Sequence, residues 1–576
     1  MAISRSSLRH PVQSNAANSA SKAVDPHGHA ETDRRAPSAK KAKPHSGRAR
    51  AATDGFEVSA KKRGVTTRPT PAPLPTPAPL PSTPIETLYT DPFHQDLMGD
   101  RLAQLIGTAK STLDGAFYEI ADPRMLEAFC RAAKSGVTVR LVTDDNYFKA
   151  DESKALLDRR VANLGKVHAF LFAARRLNAG AADAPAGAQK LLDGFDDVQK
   201  ALDDAALVAP HVVELAGAKS FLQALAAGDF VTAAQARNRL LEVSGQVSSY
   251  LSEYRVRMLF RPGYDQLLAA GVGVHNDDSA KLSHDKYLII DGKTTWVGSY
   301  NIQGLTSDSG DTEGAPSAAD NAVVLPSASI AEVFAADFKQ MFVDGKFHDQ
   351  KTPSIEKETK VNGVGVTPYV GPTGTALANL TSDLGTLLSK MRVANAAGKP
   401  MSPQPKIRMA MFATSYNGTE AIFDMLKLLK REGADVQVTA DSLGATRPSS
   451  GTKELAEAGI PVAVTSGDMM LHHKFLSINA GKMQLVWSGS ANFTHPAFFE
   501  NDESELRLDS AAEVKAYEAI YDSLKAHEKP PSGVTRRLLP DGTLAPSGGR
   551  PNPLTFDPNS IRTLDDARRY AELLET

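Results

Sequence analysis

Short apolar runs and amphipathic runs alternate along this chain from about residue 92 onward. Apolar positions three and four apart fit a helix over residues 96–111, and a compact apolar run fits a strand over 115–120. A second helix fits 122–134 and stops at Gly136. A second strand over 137–142 closes at Thr143-Asp144. Strand, helix, strand in that order predicts a parallel sheet with helices packed on it. The same succession returns at 407–413, 418–431 and 436–439, with Gly433 and Asp441 at the matching stops. Residues 136–144 align with 433–441 without a gap, and 270–274 align with 458–462. The chain therefore reads as an α/β protein made of two homologous α-β-α sandwich domains, packed about a pseudo-two-fold axis. The two alignments are offset by 297 and 188 residues, so the first copy carries about 109 extra residues, placed at roughly 145–258. Helical spacing over 198–206, 219–227 and 232–250 makes that insertion a small helical subdomain. Its acidic run (Asp193, Asp196, Asp197, Asp203, Asp204) reads as a solvated helix face, with a lid or partner-docking element over the site as the alternative.

The strongest pattern is His-Asp-Lys-Tyr-Leu-Ile-Ile-Asp at residues 284–291. Alternation along a strand puts His284 and Lys286 on one face. Asp291-Gly292 is a two-residue hairpin signal. The strand returning over 294–297 ends in Gly298-Ser299-Tyr300-Asn301. A second copy holds His472 and Lys474 at the same spacing, a turn at Asn479-Ala480-Gly481, and a return ending in Gly489-Ser490-Ala491-Asn492. Each half thus offers one His, one Lys, one Ser and one Asn. Two halves facing each other would set two imidazoles on opposite sides of a phosphodiester. One attacks phosphorus while the other protonates the leaving oxygen. Lys286, Lys474, Asn301 and Asn492 would hold the non-bridging oxygens, and Ser299 and Ser490 would add hydroxyl donors. Two lysines neutralise the phosphate, so the pattern calls for no metal and no other cofactor. His473 and His275 read as structural, and Trp296 and Trp487 as core.

The paired motifs resemble the phospholipase D superfamily, with its duplicated His-x-Lys-x4-Asp signature and trailing Gly-Ser-x-Asn. The resemblance covers about residues 90–345 and 365–530, apart from the insertion. It implies phosphodiester hydrolysis or transphosphatidylation through a covalent phosphohistidine. The nucleophile carries onto His284 and the acid–base onto His472, with the reverse assignment left open. It also brings the last positions of the motifs, Asp291 and Asn479, into the catalytic set. Asn479 departs from the family's Asp. Asp291 reads as stabilising the turn after its strand, and Asn479 as doing the same. The family places a carboxylate near each His to orient its ring. Glu503 is the candidate in the second half and Asp320 in the first, with Glu313 as the alternative.

Composition narrows the reading further. The chain has 576 residues, 41% hydrophobic and 23% charged, enough for two or three globular domains. The net charge is −2, yet residues 1–70 carry +9, so the remainder is acidic at −11. Residues 1–88 read as a disordered basic tail ending in a proline-rich spacer over 69–81. The first domain is expected over 89–345 and the second over 346–530. A C-terminal extension follows over 531–576, with one helix at 564–574. Cys130 is the single cysteine, so no disulfide within the chain exists, and it reads as a small buried side chain. No apolar run reaches 18 residues, and the N-terminus lacks a signal's apolar core. The expectation is a cytoplasmic enzyme, or a secreted effector exported without a cleaved leader. The expected substrate is a phospholipid at a membrane surface, with a single chain sufficient for the site. A nuclease is the first alternative, weakened by the acidic folded region, which lacks the basic excess nucleic acid calls for. A phosphatidyl transferase is the second. A non-catalytic binding module would have lost a His or Lys, and none is lost.

Overall fold

The computed structural model describes residues 84–90 and 97–526, apart from 179–180, 208–210, 303–304, 307–314, 317, 353–356, 373, 446–448 and 466–469, and also 535–537 and 561. The basic tail, the proline-rich spacer, Glu313 and the helix expected at 564–574 lie outside the described residues.

The first half runs β1 (Glu86–Tyr89), α1 (Leu97–Thr108), β2 (Thr112–Phe117), α2 (Pro123–Lys134) and β3 (Thr138–Thr143). The insertion follows as α3 (Lys154–Arg176), α4 (Ala184–Asp193), α5 (Phe195–Asp204), α6 (Ala216–Ala226) and α7 (Phe230–Ala269). Then come β4 (Gly273–Asn276), β5 (Lys286–Ile290), β6 (Thr294–Gly298), the two-residue strands β7 (Leu305–Thr306), β8 (Ala315–Pro316) and β9 (Ala318–Ala319), β10 (Asn321–Leu325) and α8 (Ala328–Phe342). Seven strands form one sheet in the order β1-β10-β6-β5-β2-β3-β4, with β2, β3 and β4 parallel. Alternation on β5 sorts its two faces. Tyr287 and Ile289 join a core with Phe334 and Phe338 of α8, while Leu288 and Ile290 join another with Leu102 of α1 and Phe129 of α2. The first sheet begins at β1, ahead of the boundary drawn at residue 89. Four residues are too few to show a period, and β1 is specified by its antiparallel pairing with β10.

The second half runs β11 (Thr359–Val361), β12 (Val364–Val370), α9 (Thr375–Ala396), β13 (Lys406–Met411), α10 (Glu420–Arg431), β14 (Asp435–Ala440), α11 (Ser442–Ala445), α12 (Gly451–Glu457), β15 (Val462–Thr465), β16 (Met470–Leu471), β17 (Lys474–Ala480), β18 (Met483–Gly489), α13 (His495–Phe499), β19 (Ser504–Asp509), α14 (Ala511–Ala526) and β20 (Thr535–Arg537). Its sheet has the order β11-β12-β19-β18-β17-β13-β14-β15-β20. Strands β12 through β15 repeat the first sheet strand for strand, and β11 and β20 are added at its edges. The expected duplication is therefore the architecture. Helices α8 and α14 share one core with strands of both sheets, through Phe334, Phe338, Tyr517, Tyr521, Val323 and Val486. Two short parallel contacts also tie the halves: β9 pairs with β16, and Ser283 bridges Asp502.

The insertion has its own core, including Leu164, Leu171, Phe221, Leu222, Val247 and Leu251. The five residues of its acidic run lie exposed, as the solvated-face reading has it. Its last helix does not stop near 258. α7 is 40 residues long, about 60 Å, and its Val256, Phe260, Tyr264 and Leu267 enter the first-half core. The helix ahead of β4 in the repeat is thus the end of α7, because apolar spacing continues unbroken past the boundary. No helix among the described residues is long and apolar enough to cross a membrane.

Candidate active site

His284 and His472 each sit two residues ahead of a central strand, β5 and β17, in extended chain held by the other half. The His284 N–H donates to Asp502 O at 2.9 Å, and the His472 N–H donates to Ala319 O at 2.9 Å. Each of those acceptors immediately precedes a carboxylate. His284 Nδ1 therefore meets Glu503 Oε2 at 2.7 Å, and His472 Nδ1 meets Asp320 Oδ1 at 2.7 Å. The sequence reading assigns Glu503 to the second half's own His and Asp320 to the first. The fold pairs them crosswise. All four side chains are buried. Burial alone would raise the Asp320 carboxyl, but the charge and hydrogen bond of His472, with Lys474 and Ser299, outweigh it and hold it below the usual range.

The Gly-Ser-x-Asn loops complete each pair from the carboxylate's own half. Ser299 Oγ donates to Asp320 Oδ1 at 2.7 Å, and Ser490 Oγ donates to Glu503 Oε2 at 2.6 Å. These are the same oxygens that the imidazoles contact. A hydroxyl has one hydrogen to give, so in this structure Ser299 and Ser490 hold the carboxylates. The glycines ahead of them permit the approach. A Cβ on Gly298 would stand 2.2 Å from Asn321 O, and one on Gly489 2.1 Å from Ser504 O. Those carbonyls accept the Ser299 and Ser490 N–H groups at 2.9 and 2.8 Å.

Lys286 and Lys474 are fully buried. Each Nζ donates to the carbonyl of the His two residues earlier, at 2.9 and 3.0 Å. Lys286 Nζ lies 5.2 Å from the Tyr118 ring centre, and Lys474 Nζ 4.8 Å from that of Phe412. The same rings stand 5.1 and 5.0 Å from the two imidazoles. Asn301 and Asn492 are buried in the same loops, and Asn492 Oδ1 accepts the Ala413 N–H at 3.2 Å. Tyr118 and Phe412 are absent from the sequence reading. Their signal is positional: each is the first residue past a repeated strand, β2 or β13. Asp144 and Asp441, noted only as strand ends, prove to hold the chain just ahead of each His. Their Oδ2 atoms accept the N–H of Ser283 and of Leu471, both at 2.9 Å.

Asp291 and Asn479 stand apart from the buried pairs. They lie at the far ends of β5 and β17, roughly 20 Å along the strand from the histidines. Asp291 accepts the N–H groups of Lys110, Ser111 and Thr112 at 2.7–3.1 Å, together with the Ser111 hydroxyl at 2.8 Å. Desolvation would raise its carboxyl, but those donors outweigh it and bring it down to about 2. Such a carboxylate contributes stability that is present above its ordinary value near 3.9 and lost as pH falls towards 2. Asp291→Ala is expected to cost about 1–2 kcal/mol in urea unfolding at neutral pH. The difference should shrink in acid, and activity in the folded variant should stay unchanged. Asn479 donates from Nδ2 to Glu518 Oε1 at 3.0 Å and accepts from Gln484 Nε2 at 2.9 Å. An Asp there would face Glu518 with like charge, which accounts for the departure from the motif. His473 Nδ1 contacts Asn321 Oδ1 at 3.0 Å, and Trp296 and Trp487 are buried in the cores.

Comparison with known proteins gives the following likenesses. The family profile described as "Cardiolipin synthase, PLD-like domain" matches residues 247–342 and 401–525. A mitochondrial cardiolipin hydrolase of Xenopus laevis is 28% identical over 124 residues. That stretch is 22% of this chain, and the match spans 56%, about half, of that relative's length. Among solved structures, a phosphatidylserine synthase of Haemophilus influenzae is similar with a TM-score of 0.41 at 12% identity. The likeness covers 86% of this chain and 96% of that one. A phospholipase D family member, Nuc, of Salmonella typhimurium is similar with a TM-score of 0.24 at 20% identity, covering 31% and 99%.

Proposed function

We infer that this chain belongs to the phospholipase D superfamily, and from that premise we propose that it cleaves a phospholipid phosphodiester through a covalent phosphohistidine. The observation that carries the reading is the crosswise pairing, in which each imidazole Nδ1 is engaged by a carboxylate of the opposite half. A carboxylate at Nδ1 keeps the proton on that nitrogen and directs the Nε2 lone pair away from it. His284 Nε2 attacks phosphorus, and the bond to the leaving alcohol breaks as His472, entering as the imidazolium, delivers its Nε2 proton to that oxygen. His472 then takes a proton from water, whose oxygen attacks phosphorus and returns His284 to its starting state. Lys286, Lys474, Asn301 and Asn492 stabilise the charge on the non-bridging oxygens. Glycerophospholipid is the preferred substrate because both the family profile and the Xenopus relative carry cardiolipin in their names, and because the chain beyond residue 70 is acidic.

The test is a side-by-side assay of the purified protein on cardiolipin and phosphatidylcholine vesicles and on single- and double-stranded DNA. Release of a phosphatidic acid or a head group, with DNA intact, is the expected result. DNA cleavage without lipid turnover would replace this reading with a nuclease. Adding a glycerol acceptor separates transfer from hydrolysis. EDTA should leave the rate unchanged, because two lysines carry the charge that a metal would otherwise neutralise; loss of activity on chelation would overturn that assignment.

A further inference from the structure

The segment joining the halves reaches the site from a direction neither motif shows. We propose that Lys351 and His348 are positioning residues for His284, acting through Asp502 and Glu503. The proposal rests on the catalytic reading of His284 given above, and both residues fall between the two stretches matched by the family profile.

Asp502 stands one residue before Glu503, and its carbonyl accepts the His284 N–H. Its carboxylate is fully buried, and a buried charge persists only when it is paired and hydrogen-bonded. The linker supplies both requirements. Lys351 Nζ lies 2.8 Å from Asp502 Oδ1 and 2.6 Å from Asp337 Oδ1 of α8. His348 Nδ1 lies 3.1 Å from Asp502 Oδ2, and its main-chain N–H donates to the same carboxylate at 3.0 Å. The other ring nitrogen of His348 meets Asp277 Oδ2 at 3.2 Å. Burial would lower the His348 pKa, but Asp277 and Asp502 outweigh it and push it up to about 9, so two cations hold Asp502 at neutral pH. His348 has a φ of 53°, a left-handed conformation that is unfavourable for a side chain of this size. Its bonds to Asp502 and Asp277 hold it there.

The same cluster touches His284 along the chain. Asp285, its immediate neighbour, is fully buried, and both its carboxylate oxygens lack a hydrogen-bond partner among the described residues. Its surroundings are Lys351, Asp337, Asp502 and Glu503. Lys351 is the cation that Asp285, Asp337 and Asp502 share. The surroundings of His472 are built differently. His473 replaces Asp285 and Ala319 replaces Asp502, and His473 rests on the neutral Asn321. Positioning by a linker charge is thus specific to His284.

The experiment compares Lys351→Met, Lys351→Arg and His348→Gln in the full chain, with two readouts. The first is kcat and KM on the phosphodiester that the wild type turns over. Lys351→Met should lower kcat by about 10–100-fold, the range typical of groups that orient an active imidazole, with KM within about twofold. Lys351→Arg should recover most of the loss, and His348→Gln should fall between. The second is the low-field proton NMR signal of the His284–Glu503 hydrogen bond, assigned by its loss in His284→Gln. It should shift or broaden in Lys351→Met and His348→Gln, while the His472–Asp320 signal stays in place. Should Lys351→Met fail to fold, Lys351→Arg and His348→Gln decide the matter. Unchanged kcat and an unmoved His284 signal in folded variants would overturn the proposal. A wild type inactive on every phosphodiester would instead sink the catalytic reading and leave the NMR result to judge the positioning.

Discussion

His284→Ala is expected to reduce kcat by about 10⁴-fold or more, because it removes the atom that forms the bond to phosphorus. His472→Ala should reduce it by about 10²–10⁴-fold on a natural lipid, where an alkoxide cannot leave without a proton. A phosphodiester with a p-nitrophenolate leaving group tells the two apart. That oxygen departs without a proton, so the bond-breaking step of His472→Ala is largely restored while His284→Ala stays inactive. Mass spectrometry of the quenched reaction should find the phosphoryl adduct on residues 284–291. The opposite pattern would exchange the two roles, and high activity in both variants would sink the shared-site reading. Circular dichroism must show both variants folded. Each imidazole is buried beside a carboxylate, so its loss also leaves that carboxylate short of a partner.

The second large effect concerns the crosswise carboxylates. Glu503→Gln and Asp320→Asn are each expected to lower kcat by about 10²–10³-fold, since an amide neither fixes the Nδ1 proton as firmly nor stabilises an imidazolium. Their partners are decided by a double-mutant cycle in urea. The coupling of Glu503 with His284 should be about 0.5–3 kcal/mol, whereas its coupling with His472 should be near zero. Asp320 should show the converse. Coupling within each half instead of across would contradict the 2.7 Å contacts on which the site is built.

Much of this was legible in the chain. Residues 284–291 carry their strand in the alternation and apolar content of 287–290 and their turn in Asp291-Gly292. Gly136 and Gly433 mark the stops of equivalent helices. Such signals are local, because they follow from the two-residue and 3.6-residue periods of side chains along a backbone. Asp291 and Asn479 show the limit of motif spacing. They belong to the signature, yet strand rise carries them to the wrong end of β5 and β17. Ser299 and Ser490 show a second limit. A hydroxyl near a presumed phosphate site is a donor in any sequence reading, and only its neighbour's oxygen reveals where the hydrogen goes.

The sequence by itself determined that there are two copies of an α/β unit, that each brings one His and one Lys at the head of a central strand, and that a helical insertion separates parts of the first. Those properties are written in spacing and composition. Tertiary structure alone decided which carboxylate serves which imidazole, that Tyr118 and Phe412 pack against the two imidazoles and lysines, and that Lys351 and His348 meet Asp502 from the linker. These contacts join residues distant along the chain, or come from segments with no period of their own. The crosswise carboxylate pairs exist only because α8, α14 and the β9–β16 pairing bury the halves against each other, and no local pattern records that packing.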